Sequence, residues 1–394
     1  MSLVLVGSTS GSVTLQEPAV AGTTVLDLPA TSGTILTTGS TTGINASAIS
    51  SGVVAQANGG TGTTAGVTGF KNRIINGAMA ISQRNGTSTI TPANGDYGVD
   101  RWTFGLAQSS KLTSAQTTTA PAGFNFSTLI TSSSSYTPLT NDLFRFTQLI
   151  EGFNFADLGF GTANAKTFTL SFWVRSSLTG TIGGSLQNND NDRSYPFTYT
   201  INAANTFEYK TVTVAGDTTG TWVGATNGIG LYVNFSMGAG SGRLGTAGSW
   251  QAAGYYGATG QTNLVATSGA TWYITGVQLE VGSTATSFDY RPYGTEMILC
   301  QRYYIDASYP NTGATLAFSS NVTNGNPYFV SFTYPVRMRA SPTLTWSSWA
   351  DALFPAGSAT FQQTGVVGSN VYKVANATGV SGYFTGGYTA SAEL

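Results

Sequence analysis

Phe168, Leu170, Phe172 and Val174 fall on one face of an extended segment, with Thr169, Ser171, Trp173 and Arg175 on the other. Successive side chains of a strand point to opposite faces, so this period of two predicts a half-buried β-strand. Leu231, Val233, Phe235 and Met237 repeat the pattern against Tyr232, Asn234 and Ser236, and Phe207, Tyr209, Thr211 and Thr213 share one face of a weaker strand. Between 271 and 281 the apolar positions run Trp272, Ile274, then Val277, Leu279 and Val281. That change of phase at Thr275-Gly276 predicts a β-bulge. Gly- and Asn-rich turns separate these segments and no helical period intervenes, so residues 70–293 are expected to form an antiparallel sandwich or jelly roll.

The pattern differs on both sides. Residues 1–69 hold no aromatic residue and only two charges, Glu17 and Asp27. Short apolar clusters such as Val4-Leu5-Val6 and Val25-Leu26-Asp27-Leu28 can hardly close a core within one chain, but they can be buried between chains wound together. The expectation is an extended shaft in a homotrimer, with a flexible linker as the alternative. On the other side, Thr295 can cap a short helix that begins Glu296-Met297-Ile298 and runs to about Tyr304, its acid at the favourable N-terminus. The helix would lead into a small C-terminal β-domain over residues 294–394. There Tyr328, Val330, Phe332, Tyr334, Val336 and Met338 alternate with mainly polar residues, and Pro335, which has no N–H, places that strand at a sheet edge. Trp346 and Trp349 precede Phe354 in a segment that reads as loop. The fold class is therefore all-β, with shaft, central jelly roll and C-terminal tip.

Composition narrows the function. Hydrophobic residues make up 41% of the 394, enough for real cores, while charged residues make up only 8%. Lys plus Arg number 16 against 17 acids, which leaves no basic stripe for nucleic acid. Histidine is absent, which removes Ser-His-Asp, Cys-His and His-ligated zinc chemistry. The single cysteine, Cys300, cannot form an intrachain disulfide and is expected to be buried and inert. The opening MSLVLVGSTSG lacks a positive start, and no apolar run approaches the length of a membrane span, so neither export nor membrane insertion is expected.

Three separated stretches carry a resemblance. They are Asn72-Arg73-Ile74-Ile75-Asn76-Gly77 leading to Asp100-Arg101-Trp102; Trp272 to Glu280; and Phe288-Asp289-Tyr290-Arg291-Pro292-Tyr293 running into Cys300-Gln301-Arg302-Tyr303-Tyr304. Together they resemble the carbohydrate-binding-like jelly-roll domain of bacteriophage tail fibres, and Asn58-Gly59-Gly60-Thr61-Gly62 is similar to a tail-fibre shaft motif. The resemblance implies a homotrimer in the virion tail, assembled in the host cytoplasm. It further implies attachment to a tail or baseplate protein through the N-terminus, and a distal half directed at a host-surface glycan or other receptor. Related modules often hold a structural calcium with an acidic residue after the early Asn-Gly. Here that position is Ala78, and no metal or other cofactor is expected. Asp190 and Asp192 have the spacing of a calcium loop without its later bidentate Glu, and read as a solvated turn.

Sugar recognition uses aromatic faces against sugar C–H surfaces. Trp173 stands on the polar face of its strand, and Trp222, Trp250, Tyr255 and Tyr256 lie in or beside Gly-rich segments; with Trp346 and Trp349 these are the candidate ligand-binding residues. Each has a plainer reading as a packing residue, against a loop or a neighbouring subunit. A glycan depolymerase would need two carboxylates across a glycosidic bond, and spacing nominates no pair among the 17 acids. The expected function is thus non-catalytic, multivalent receptor binding; a purely structural or decoration fibre and a depolymerase are the alternatives.

Overall fold

The protein is described here by a computed structural model, which covers residues 3–6, 12–15, 70–308, 315–357 and 359–394. Most of the expected shaft segment therefore lies outside the described residues. Within it, β1 (Leu3–Val6) pairs antiparallel with β2 (Ser12–Leu15). Residues from Phe70 onward belong to a separate compact unit.

That unit contains two five-stranded antiparallel sheets. The strands in chain order are β3 (Trp102–Leu106), β4 (Leu112–Thr117), β5 (Ser127–Ser132), β6 (Leu143–Glu151), β7 (Phe168–Ser176), β8 (Gly180–Gln187), β9 (Ser194–Ile201), β10 (Glu208–Val214) and β11 (Ile229–Ala239). They are followed by the two-residue pair β12 (Leu244–Gly245) and β13 (Gly257–Ala258), and by β14 (Thr271–Val281). The first sheet has the order β10-β7-β14-β5-β4 and the second β3-β6-β11-β8-β9. The chain passes back and forth between the sheets, the connectivity expected of a jelly-roll sandwich.

The inner faces are those the alternation marks. Phe168, Leu170, Phe172 and Val174 on β7, and Leu231, Val233, Phe235 and Met237 on β11, are all fully buried. Rings from the two sheets interlock: Phe172 meets Phe235 edge to face at 5.0 Å, and Trp272 meets Phe235 at 5.7 Å. The bulge in β14 also forms, with a register shift against β7 between Thr275 and Gln278 and Gly276 at φ +62°. It keeps Trp272, Ile274, Val277 and Leu279 all inward. On β10 the shared face of Tyr209, Thr211 and Thr213 is the outer one, and Val212 and Val214 supply the inner contacts. That strand is at a sheet edge, so its larger aromatic is free to face outward.

Beyond the sandwich lie α1 (Tyr293–Gln301), β15 (Tyr304–Asp306), β16 (Leu316–Val322), β17 (Pro327–Thr333), β18 (Thr343–Ala352), β19 (Thr360–Gln362), β20 (Gly368–Val374) and β21 (Gly379–Ser391). The expected helix exists but starts three residues earlier, at Tyr293, with Pro292 as N-cap, so Thr295 is inside it and caps nothing. The helix is entered without a side-chain cap, from the extended backbone of Pro292. The expected long strand at 328–338 ends at Thr333, before Pro335, and β17 does sit at the edge of the sheet β17-β20-β19. Trp346 and Trp349 lie on β18, a ten-residue strand paired with β21, not in a loop. Its bulge between Ser348 and Ala350 breaks the alternation and disguises the strand in the sequence.

A buried polar hub fastens this C-terminal part to the sandwich. Glu151, at the end of β6, accepts hydrogen bonds from Arg302 at 2.5 and 2.9 Å and from the Tyr303 hydroxyl at 2.6 Å. Arg101 pairs with Glu393 and lies 3.5 Å over the Tyr303 ring. Cys300 is fully buried beside it, and burial pushes its thiol well above the ordinary range.

Candidate functional site

The segments singled out by resemblance come together as a structural knot. Asn72 donates to the Val277 carbonyl at 3.1 Å, while its own side-chain oxygen accepts from Ile74 N and Leu279 N at 2.9 and 3.0 Å. Asn76 spans Ile81 and Asp100 through its amide nitrogen, at 2.8 and 2.9 Å. Gln148, from the second sheet, closes both backbone groups of Ile75 at 2.8 and 2.7 Å. Glu280 holds Thr286, and Arg291 and Glu296 close on Ile74 and Asn76. These motifs fix strand ends and the chain crossing them; buried polar groups need such partners.

The knot lays the chain segment around Thr286–Tyr290 across part of the outer face of the first sheet. At its margin is an open cleft of about 470 Å³, lined by Phe124, Trp173, Tyr209, Gly276, Phe288 and Tyr290 among others. Trp173 on β7 stands directly across from Tyr209 on β10, with ring centroids 5.4 Å apart. The far wall is a trio, Phe124, Phe288 and Tyr290, with centroids 4.8 to 5.4 Å apart. The β14 bulge builds the floor: a Cβ on Gly276 would lie 2.6 Å from Phe124 Cζ and 3.1 Å from Trp173 Cδ1. Only a glycine lets those two rings approach across that point.

Of the hydroxyls at the cleft, that of Tyr290 already donates to the Gly123 carbonyl. Burial raises the pKa of Tyr209, partly offset by its hydrogen bond with Ser171, and burial raises Tyr290 as well, so both hydroxyls stay protonated. The Trp173 indole N–H has no acceptor among the described residues and is not buried. By contrast, Trp102, Trp222, Trp250 and Trp272 all donate within the protein. Among the described residues no carboxylate lines the cleft. Behind the trio lies a smaller hollow of about 210 Å³ reaching Ala78, Asp289 and Glu296. Its two acids are engaged, Asp289 by the Asn72 backbone N–H and Glu296 by Arg291 and the Asn76 N–H.

The other candidate residues are placed elsewhere. Trp222 and Trp250 pack edge to face at 5.4 Å, with Phe160 and Tyr195 against them, and donate to the Thr219 and Ala215 carbonyls. They secure the loop that covers the sandwich end. Tyr255 packs over Gly245, and Tyr256 takes the guanidinium groups of Arg145 and Arg243 at 4.8 and 5.8 Å. Trp346 lies against Phe361 and Phe384. Trp349 is half exposed at the β18 bulge. Of the seven, only Trp173 joins the cleft. Sequence reasoning missed Phe124, Tyr209, Phe288 and Tyr290 as site residues; Tyr209 shared a face with other outward positions, and the bulge marked the floor. Asn188 binds Asp192 at 2.6 Å and Asn189 binds Asp190 at 3.1 Å, closing the Asp190–Asp192 turn on itself. Among the described residues no group of three or more Asp, Glu or Cys could hold a metal ion, and no helix is long and apolar enough to cross a membrane.

No protein-family model and no curated protein matches the chain. Among solved structures, the enzymatically active domain of tailspike protein 4 from bacteriophage CBA120 aligns at 14% identity and TM-score 0.30, over 55% of this chain and 22% of that one. The chain thus spans about a fifth of that tailspike domain. A carbohydrate-binding module, CBM4, aligns at 16% identity and TM-score 0.26 over 52% of this chain and 98% of its own. The module TmCBM61, solved with β-1,4-galactotriose, aligns at 7% identity and TM-score 0.25 over 48% of this chain and 92% of its own. Scores at this level do not define a shared fold.

Proposed function

We propose that this protein recognises a glycan without cleaving it, as a homotrimeric fibre of a bacteriophage tail whose receptor is on the host surface. The observation that carries the binding reading is the cleft itself. It joins the partly exposed indole of Trp173, whose N–H meets no acceptor among the described residues, to the rings of Tyr209 and Tyr290, over a glycine floor. Aromatic faces pack on sugar C–H surfaces while N–H and O–H groups take the hydroxyls. The lining without carboxylates favours binding over hydrolysis, because glycoside cleavage requires an acid pair flanking the bond.

The fibre and trimer reading rests on the resemblance of the motif segments and on apolar surface in the C-terminal part. Val380, Val367, Trp349 and Phe329 are 76%, 56%, 49% and 47% exposed there, and further copies of the chain would cover them. Weak sites suffice in such an assembly, since linking them raises avidity by on the order of 10² to 10⁴. The test is a bacterial glycan array probed with the full chain, with light scattering for mass and product analysis on every retained glycan. A trimer that retains glycans intact supports the reading. A monomeric mass contradicts the assembly, no retention contradicts the binding, and released oligosaccharides contradict the non-catalytic role.

A further inference from the structure

On β7 the next outward residue after Trp173 is Arg175, about 7 Å along the same face. Its guanidinium lies 4.9 Å from the Tyr273 ring and 5.9 Å from the Phe207 ring. It makes no hydrogen bond and no ion pair with any described residue, and its Nε is buried without a partner. Apart from the exposed Arg337, every other described arginine has a protein acceptor: Arg73, Arg84, Arg101, Arg145, Arg193, Arg243, Arg291, Arg302 and Arg339 all donate. The nearest acid on the neighbouring strand, Glu208, is taken up by Asn202, Ala203 and Lys210 at 2.6 to 2.9 Å. Arg175 is thus a positive charge held in place by two aromatic rings, with all five donors unused.

An arrangement of that kind is costly unless something outside the chain completes it. A half-buried guanidinium without acceptors loses hydration and gains only the ring contacts in return. Its planar fork matches an oxyanion with two oxygens, and the ring contacts fix its plane in advance. We infer that Arg175 reads the carboxylate of an acidic sugar whose ring, or whose neighbour's ring, stacks on Trp173. The ligand class is then a carboxylate-bearing polysaccharide, such as one containing uronic acid. This rests on the glycan-binding reading of the Trp173 cleft and narrows it.

The test compares the full chain with R175Q, R175K and W173A on neutral, uronate-bearing and phosphate-bearing bacterial oligosaccharides. Arg175 hydrogen-bonds to no described residue, so R175Q loses only its ring contacts and is expected to stay folded, while R175K retains the charge. The expected result is retention of uronate-bearing glycans, about tenfold weaker binding by R175Q, partial recovery in R175K, and weakening with added salt. Neutral glycans bound with loss in W173A and no change in R175Q would overturn the acid-reading role and leave glycan binding intact. Retention of phosphate-bearing glycans alone would overturn the carboxylate assignment. Uronate-bearing glycans bound equally by R175Q would overturn Arg175 as the reader, and no glycan bound by any form would overturn both readings.

Discussion

The Tyr303 hydroxyl donates to Glu151 Oε2 at 2.6 Å, across 152 residues of sequence. The contact lies where the sandwich meets the C-terminal β-structure, and Arg302 supplies the charge that Glu151 needs there. Burial alone would raise the Glu151 pKa; the hydrogen bonds from Arg302 and Tyr303 outweigh it and hold the carboxyl below its ordinary value. Glu151→Ala leaves a buried hydroxyl and a half-buried guanidinium without their acceptor. We expect a loss of about 2 kcal/mol, read by denaturant unfolding.

Asp100 behaves in the opposite sense. It is almost wholly buried, and desolvation lifts its pKa to about 6 against the ordinary 3.8, despite hydrogen bonds from Gln83. Between those values the unfolded chain releases the proton while the folded one keeps it. Its contribution to stability therefore falls as pH rises from about 4 to 6 and is flat above. Asp100→Asn should flatten that part of the stability profile, as measured by unfolding at a series of pH values. An unchanged slope would show that another group titrates there.

The core claim is sharper. Phe172 is fully buried and meets both Tyr199 and Phe235 edge to face at 5.0 Å. Phe172→Ala should cost about 3 to 5 kcal/mol through lost burial and a residual cavity. Thr211→Ala, on the outer face of β10, should be close to neutral.

These cases also mark what the sequence could tell. Alternation located β7, β11 and β14 because each has one wholly apolar face, and even the bulge at Thr275-Gly276 announced itself as a break in phase. Where a strand is half exposed on both faces the signal fails. β18 carries Trp346 inward and Trp349 on a bulge, which reads as loop. The binding cleft was less legible still. Trp173 was visible as an aromatic on a polar face, but Phe124 and Tyr290 reach it only through the chain crossing that Asn72, Gln278 and Glu280 hold together. No local pattern encodes that approach. Trp222 and Trp250, singled out beside Gly-rich segments, pack on each other instead.

Gly276 ties the fold to the site. At φ +62° a non-glycine residue is strained, and a methyl group would collide with Phe124. Gly276→Ala should fold with a loss of about 1 to 2 kcal/mol and displace the Phe124 and Trp173 rings from each other. The sign to look for is weakened glycan retention well below the melting transition.

The most direct test is the affinity of Trp173→Ala for a glycan that the parent protein retains, set against the parent and against Trp349→Ala. Trp173 is partly exposed and packs on Tyr209, so its removal is expected to lower Tm, and affinity is compared well below the melting transition of each form. The cleft reading requires affinity to fall about tenfold or more in Trp173→Ala, corresponding to roughly 1.4 kcal/mol of lost stacking and hydrogen bonding, with Trp349→Ala unaffected. Equal affinity of Trp173→Ala and the parent would contradict it.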